Sequence, residues 1–458
     1  MDDTSQQPAV LTEALVEQIK SWIRDVKVDE LKTVIDHLHP ADIATVMNQL
    51  SRLGQNVIFD LLSPEIAGEV LMELEEPHRE DVVETLDPKT LSKIVDQLPS
   101  DEAADLVGEL DEEVAREVLE GTPEESRREV EKLLHYGDDT AGGIMALEVA
   151  KIHENQTVAQ AQEELRNIHK EVEDIHTLFV VDDHGRLKGT IKPINLILAT
   201  PNTPVANIME TDVISVPPEM DQQEAAAVAM KYDLVTLPVV DQKGTLLGRI
   251  TIDDIIDVVE EEAHEDISFM AGTGDEEVTE RSALKVTRTR IPWLMVGMFG
   301  GMIAAYIMSH FEGSLSRVIA LAFFVPVVTG MGGNVAIQCS SIIVRGLATG
   351  ELVVSNIIRQ IWKEFRVAVT NGAILGGIIF VAVSLWHNDW NLGLVIGGAI
   401  CAVNLTATAT GTMFPFVLRW IGFDPAVAMG PFISTLNDII GISIYFGFAS
   451  LYFAFHTP

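Results

Sequence analysis

A carboxylate stands where charge is costly. Asp438 is the only charged residue in the apolar run 425–455. At the centre of a membrane-spanning helix an acid costs roughly 2.5–3.5 kcal/mol on insertion scales, so it calls for a partner. No Lys or Arg inside any apolar run could neutralise it. Ser434 and Thr435 precede it by four and three residues, on one helical face, with Pro431 a further turn back. This pattern reads as a polar stripe along an ion path, with Asp438 facing a cation. The competing reading is a protonated aspartate hydrogen-bonded to a neighbouring helix. One such acid per chain suggests a dimer, because two copies across a two-fold axis would present a double negative charge to a divalent ion.

A second stretch runs from Pro326 through Gly330, Gly332, Gly333 and Asn334 to Gln338. Proline and glycines weaken a helix and free carbonyls, which is tolerated at membrane depth only beside protein or a water-filled cavity. Magnesium demands octahedral geometry and gives up water reluctantly. A wide ring of oxygens from Asp438, Asn334 and backbone carbonyls, with Gly330 and Gly333 as candidates, would hold the hydrated ion through its waters. Calcium would be stripped and chelated by several carboxylates, which this half of the chain lacks. Asn404, Thr406, Thr408 and Thr410 read as interhelical hydrogen-bonding partners rather than pore lining.

Other chemistries find little support. The histidines from His37 to His184 are scattered, without an H-E-x-x-H arrangement or a paired nucleophile, so no enzyme is expected. The two cysteines, Cys339 and Cys401, lie in apolar runs, which excludes a disulfide framework and a cysteine zinc site. With 31 Lys+Arg against 69 Asp+Glu, the chain is a poor nucleic-acid binder.

The elements that must position these residues divide in two. From Ile291 onward, acids and bases cancel, and the whole net charge of −38 lies in the first part of the 458 residues. Apolar runs at 291–311, 318–344, 367–386, 392–418 and 425–455 predict five membrane helices. Lys285, Arg288, Arg290, Arg345, Arg359, Lys363, Arg366 and Arg419 fall on one side if the N-terminus is inside and the C-terminus outside. The basic segment 351–366 suits the inner membrane surface. The N-terminus carries no basic, apolar secretory signal, so the acidic body is expected in the cytoplasm and the chain in the cell membrane.

In the acidic body, Pro40, Pro64 and Pro88 recur every 24 residues, as do Leu50, Leu74 and Leu98. A fixed period of this length predicts stacked helical repeats over 1–137. Further on, Thr177 to Asp182 recurs as Thr236 to Asp241, and Gly185 and Gly189 as Gly244 and Gly248. Each copy reads strand, helix, strand, glycine turn, strand, helix. This resembles a tandem pair of cystathionine-β-synthase-type (CBS) domains, at 138–200 and 201–266. In the second copy Thr251 and Asp254 match the hydroxyl and acid that hold ribose in nucleotide-binding members, which implies ATP as a candidate ligand. The first copy has Lys192 and Asn195 there, and Thr251 could equally cap a helix.

Acids concentrate over 101–113 and 253–266. Asp254, Asp257 and Glu261 share a helix face where like charges repel. Cations between two such faces would hold the soluble domains together, and without cations repulsion would spread them. That is a bistable element an ion can bias, with 267–290 as the connection to the membrane.

The order of helical repeats, paired CBS domains, connecting segment and five spans, with Pro326 to Gln338 in the second and Gly430 to Asp438 in the fifth, resembles the MgtE family of magnesium transporters and channels. The resemblance implies a multidomain chain: an all-α repeat domain, α/β tandem CBS domains and an α-helical membrane domain at 291–458. It implies a homodimer in the lipid bilayer with spans two and five lining the pore. It also implies that Mg2+ between helical and CBS domains closes the pore. By motif position, sensing falls to Asp101, Asp105, Asp254, Asp257, Glu262, Glu265 and Asp266, with Asp233 a weaker candidate. Two alternatives stay open: a carrier for another divalent metal or a proton-coupled one, and a membrane-anchored nucleotide sensor.

Overall fold

The computed structural model describes residues 12–168, 175–274, 282–348, 352 and 357–456. The connecting segment thus lies partly outside the described residues, as does the basic segment 351–366. The chain forms two compact units, up to Glu260 and from Glu261 onward.

Among the described residues, the first unit opens with ten short helices: α1 (Glu13–Arg24), α2 (Val28–Ile35), α3 (Pro40–Met47), α4 (Arg52–Phe59), α5 (Pro64–Met72), α6 (Glu76–Val83), α7 (Pro88–Val95), α8 (Ser100–Gly108), α9 (Glu112–Gly121) and α10 (Glu124–Leu133). Each recurring proline is the first residue of its helix, where its missing N–H costs nothing. The 24-residue period continues into the core. Val46, Val70 and Ile94 are buried at equivalent positions, as are Met47, Leu71 and Val95. Each repeat therefore presents the same apolar ridge to the next.

The CBS pair follows, with β1 (Lys151–His153), α11 (Val158–Ile168), β2 (Leu178–Val181), β3 (Leu187–Ile191) and α12 (Pro193–Leu198) in copy one. Copy two has α13 (Gln222–Lys231), β4 (Thr236–Val240), β5 (Leu246–Thr251) and α14 (Ile252–Ala271). Its expected first strand is reduced to one parallel bridge, Val216 with Val239. Pro217 and Pro218 follow at once and supply no N–H to extend a ladder.

The leaders of the two copies are exchanged. Ala146, ahead of copy one, bridges Arg249 of β5, and Glu210, ahead of copy two, bridges Thr190 of β3. Two glycines permit it. A β-carbon on Gly248 would stand 2.6 Å from the carbonyl oxygen of Ala146 and 2.9 Å from Met145 Sδ. One on Gly189 would stand 2.8 Å from that of Glu210 and 2.9 Å from Met209 Sδ.

Among the described residues, the second unit holds five helices long and apolar enough to cross a membrane. They are α15 (Ala283–His310), then after the short α16 (Glu312–Arg317) α17 (Ala320–Ala348), α18 (Ile357–His387), α19 (Trp390–Trp420) and α20 (Pro431–His456), here spans one to five. Span four is the central one, packed on spans two, three and five. Small residues bring backbones together: a β-carbon on Gly397 would lie 2.6 Å from the carbonyl oxygen of Gly376.

Span two corrects an expectation. It is one continuous helix through Pro326 and all three glycines. The described glycines with positive φ do not include Gly330, Gly332 or Gly333. One missing N–H does not break a helix held on both sides. The glycines provide close approach, Gly332 to Val403 and Gly333 to Ser434. The irregularity lies instead before span five, where a 3-10 turn (Pro425–Ala428) and Gly430 at φ +69° precede Pro431.

Candidate functional site

Three contacts set the rotation of span five. Ser434 faces span two, with its Oγ 3.0 Å from where a β-carbon on Gly333 would stand. Thr435 lies against Gly300 of span one, leaving no room for any side chain there. Asn437, only 2% exposed, takes a 3.0 Å hydrogen bond from Thr410 of span four and donates to the Ile433 carbonyl at 2.9 Å. At about 100° per residue, Asp438 then points between the directions of Ser434 and Thr435, away from span four. It is half-buried.

Span two, which packs on span five, leaves a face uncovered within one chain. Gly330, Asn334 and Gln338 are spaced one helical turn apart and all exposed, and a β-carbon on Gly330 would meet nothing within 4 Å. Bare glycine backbone and two amides form a polar strip along one face of the helix. Asn404 and Thr408 are buried, with neither amide atom of Asn404 hydrogen-bonded to the described residues. Asn437 was absent from the sequence-level site, because its role depends on Thr410, 27 residues away.

The acids of the first unit also converge. Asp101, 8% exposed at the start of α8, is pushed well above the usual carboxylate range by burial and then by Asp254. Burial, Asp254, Asp105, Glu69 and Asp253 together push Glu102 up to about 7. Asp254 itself is raised, by burial first, although its carboxylate accepts from the Thr251 N–H at 2.9 Å and hydroxyl at 2.6 Å. Asp257 is raised by burial, Asp253 and Glu73. Carboxyls of α5 and α8 thus press on those of α14. Glu69 and Glu73 escaped the sequence reading because only the packing of the repeats brings Glu69 near Glu102 and Glu73 near Asp257. Asp105 is exposed one turn beyond Asp101. Asp233 is exposed at φ +54°, in the left-handed turn closing α13.

The later acids belong to the second unit. Glu262, Glu265 and Asp266 are half-buried along the last turns of α14. Asp266 is pushed up to about 6 by burial, Asp424 and Glu262. Asp424, between spans four and five, is a further residue the sequence left unassigned; its side chain caps Ala426 N at 2.7 Å. Among the described residues no three Asp, Glu, His or Cys side chains converge as direct ligands of one bare ion. The paired acids suit a cation held through its water, or through few direct ligands.

Comparison with known proteins agrees with this architecture. Family models match the MgtE intracellular N domain at 38–139, CBS domains at 141–201 and 205–261, and the MgtE divalent cation transporter domain at 325–448. Magnesium transporter MgtE of Enterococcus faecalis is 40% identical over 328 residues, 72% of each chain. That of Thermus thermophilus is 38% identical, over 71% of this chain and 73% of the relative. A crystal structure of the cytosolic domain of the Mg2+ channel MgtE in complex with ATP superposes at TM-score 0.51 and 33% identity, covering 53% of this chain and 99% of that one. With its helical domain, CBS pair and five membrane helices, the chain belongs to the MgtE family of divalent cation transporters.

Proposed function

We propose that this chain carries Mg2+ across the cell membrane through a pore built by two copies, and that Mg2+ on the cytoplasmic side closes it. The observation that carries the reading is half-buried Asp438, one helical turn past the Ser434 that packs on Gly333, together with the uncovered strip Gly330–Asn334–Gln338 on the same span two. A polar strip bare in one chain needs water or a second copy beside it. Two copies facing each other would set two Asp438 carboxylates around a hydrated ion, with Asn334 and Ser434 on its waters. Thr435, seated on Gly300, contributes by fixing the helix. Exposed apolar side chains on the CBS pair support the dimer: Ile194, Ile197 and Leu198 on α12, and Ile252, Ile256 and Val259 on α14.

The sensor is the meeting of acids on α5 and α8 with those on α14. Repulsion between them is relieved by a divalent cation, and α14 carries the result onward. That helix runs unbroken from Asp254 through Asp257, Glu262, Glu265 and Asp266 to Ala271. Its last turn reaches the start of span five, where Gly430 packs on Met270. The basic flanks of the spans support acidic domains in the cytoplasm and a C-terminus outside.

Purified chain in liposomes with trapped Mg2+ indicator tests the pore. Asp438→Ala should abolish flux, and flux at the wild-type rate removes the assignment. Wild-type flux insensitive to cytoplasmic-side Mg2+ removes the gate. A second ligand has its own observation: Thr251 and Asp254 are hydrogen-bonded together at the end of β5, and the ATP-bound neighbour shares this domain. ATP titration of wild type against Thr251→Val checks it.

A further inference from the structure

The start of α8 is completed from outside its own domain. Pro99, which precedes it, makes no side-chain capping bond. The first N–H groups of a helix lack intrahelical partners and favour a nearby negative charge. Here the Glu148 carboxylate supplies both: Oε1 accepts from Ser100 N at 3.1 Å and Oε2 from Ser100 Oγ at 2.8 Å. Ser100 Oγ in turn accepts from Leu147 N at 2.8 Å. The three bonds close a ring between α8 and the leader of CBS copy one.

That leader is itself pinned. Ala146 exchanges backbone hydrogen bonds with Arg249 of β5 at 2.8 and 2.9 Å. β5 ends at Thr251, which holds Asp254. A short covalent and hydrogen-bonded path thus runs from Asp254 through β5, Ala146 and Glu148 to Ser100, the residue before Asp101. Ser100 is buried at 3% exposure, so the tie is shielded from competing water.

We propose that Glu148 is a positioning residue: it caps α8 from the CBS pair, setting Asp101 opposite Asp254, and tunes the sensor's Mg2+ affinity without binding the ion. The inference rests on the sensor reading given above. When the helical domain leaves the CBS pair, α8 loses its cap, so release of the domain and loosening of the sensor helix are one event.

The test uses the full chain in nanodiscs, with Mg2+ alone as probe. Protease cleavage between the helical and CBS domains is titrated against Mg2+, and hydrogen exchange is followed in the first turn of α8. Glu148→Ala should raise the Mg2+ midpoint about tenfold and speed exchange in that turn even at saturating Mg2+. Glu148→Gln, whose amide oxygen still accepts from Ser100, should recover most of both. Ser100→Ala should shift the midpoint in the same direction, and the double variant should be no worse than Glu148→Ala. Flux at low cytoplasmic-side Mg2+ should stay at the wild-type rate, which also reports a folded chain. The proposal is overturned if Glu148→Gln shifts the midpoint as far as Glu148→Ala while Ser100→Ala has no effect, since Glu148 would then be an ion ligand. It is also overturned if exchange in α8 ignores Glu148. A wild-type chain whose cleavage does not respond to Mg2+ sinks the sensor reading itself, and exchange in α8 still reports the cap separately.

Discussion

The carbonyl oxygen of Met270 lies 2.5 Å from the point where a β-carbon on Gly430 would stand. Gly430 also sits at φ +69°, a conformation that L side chains rarely adopt. The end of the helix leaving the CBS pair therefore rests on bare backbone at the entry to span five. Gly430→Ala should separate the two, so that the liposome flux loses much of its inhibition by cytoplasmic-side Mg2+. Full inhibition with an unchanged midpoint would show that this contact does not transmit the signal.

The seat of Thr435 on Gly300 leads to a packing prediction. A methyl group on Gly300 would overlap the threonine, and overpacking of this kind costs about 1–3 kcal/mol. Gly300→Ala should lower the detergent Tm, and adding Thr435→Ser should restore it. Gly330→Ala, which meets open space, should leave Tm unchanged. Equal losses at the two glycines would contradict this picture of span five.

The acids around Asp254 make the first unit sensitive to pH. Asp101, Glu102 and Asp254 hold protons more tightly in the packed form than in an unfolded chain. Their contribution to stability is therefore present below the ordinary carboxylate range and lost as pH rises through their raised values, about 7 for Glu102. In EDTA the unit should melt at a lower temperature at pH 8 than at pH 6. Added Mg2+ should raise Tm more at pH 8, because fewer protons compete. A Tm in EDTA that climbs between pH 6 and pH 8 has the wrong sign for this account.

Asp424 presses on Asp266. Asp424→Asn keeps the capping acceptor for Ala426 but removes that repulsion. If a cation joins the two carboxylates, the Mg2+ needed to inhibit flux should rise severalfold. An unchanged inhibition curve would leave Asp424 as a turn residue only.

Periodic features were legible in the residues alone. The prolines 24 apart marked helix starts, the duplicated Thr-Leu…Val-Val-Asp segments marked paired strands, and apolar length marked five spans, because each is set by local spacing. What depended on partners was not legible. Glycines in span two signalled a broken helix, yet Gly332 and Gly333 serve neighbours on other spans that sequence cannot locate. Glu69, Glu73 and Asp424 join acidic groups only through packing. Asn437 beside Asp438 looked incidental until Thr410 gave it a partner.

The crossed leaders of the CBS pair have a practical consequence. A chain cut near residue 200 would strip Gly189 of the methionine it was shaped to receive and leave Gly248's methionine without a home. Neither half should be a stable fragment by itself; the pair is the smallest piece that can be excised and expected to fold.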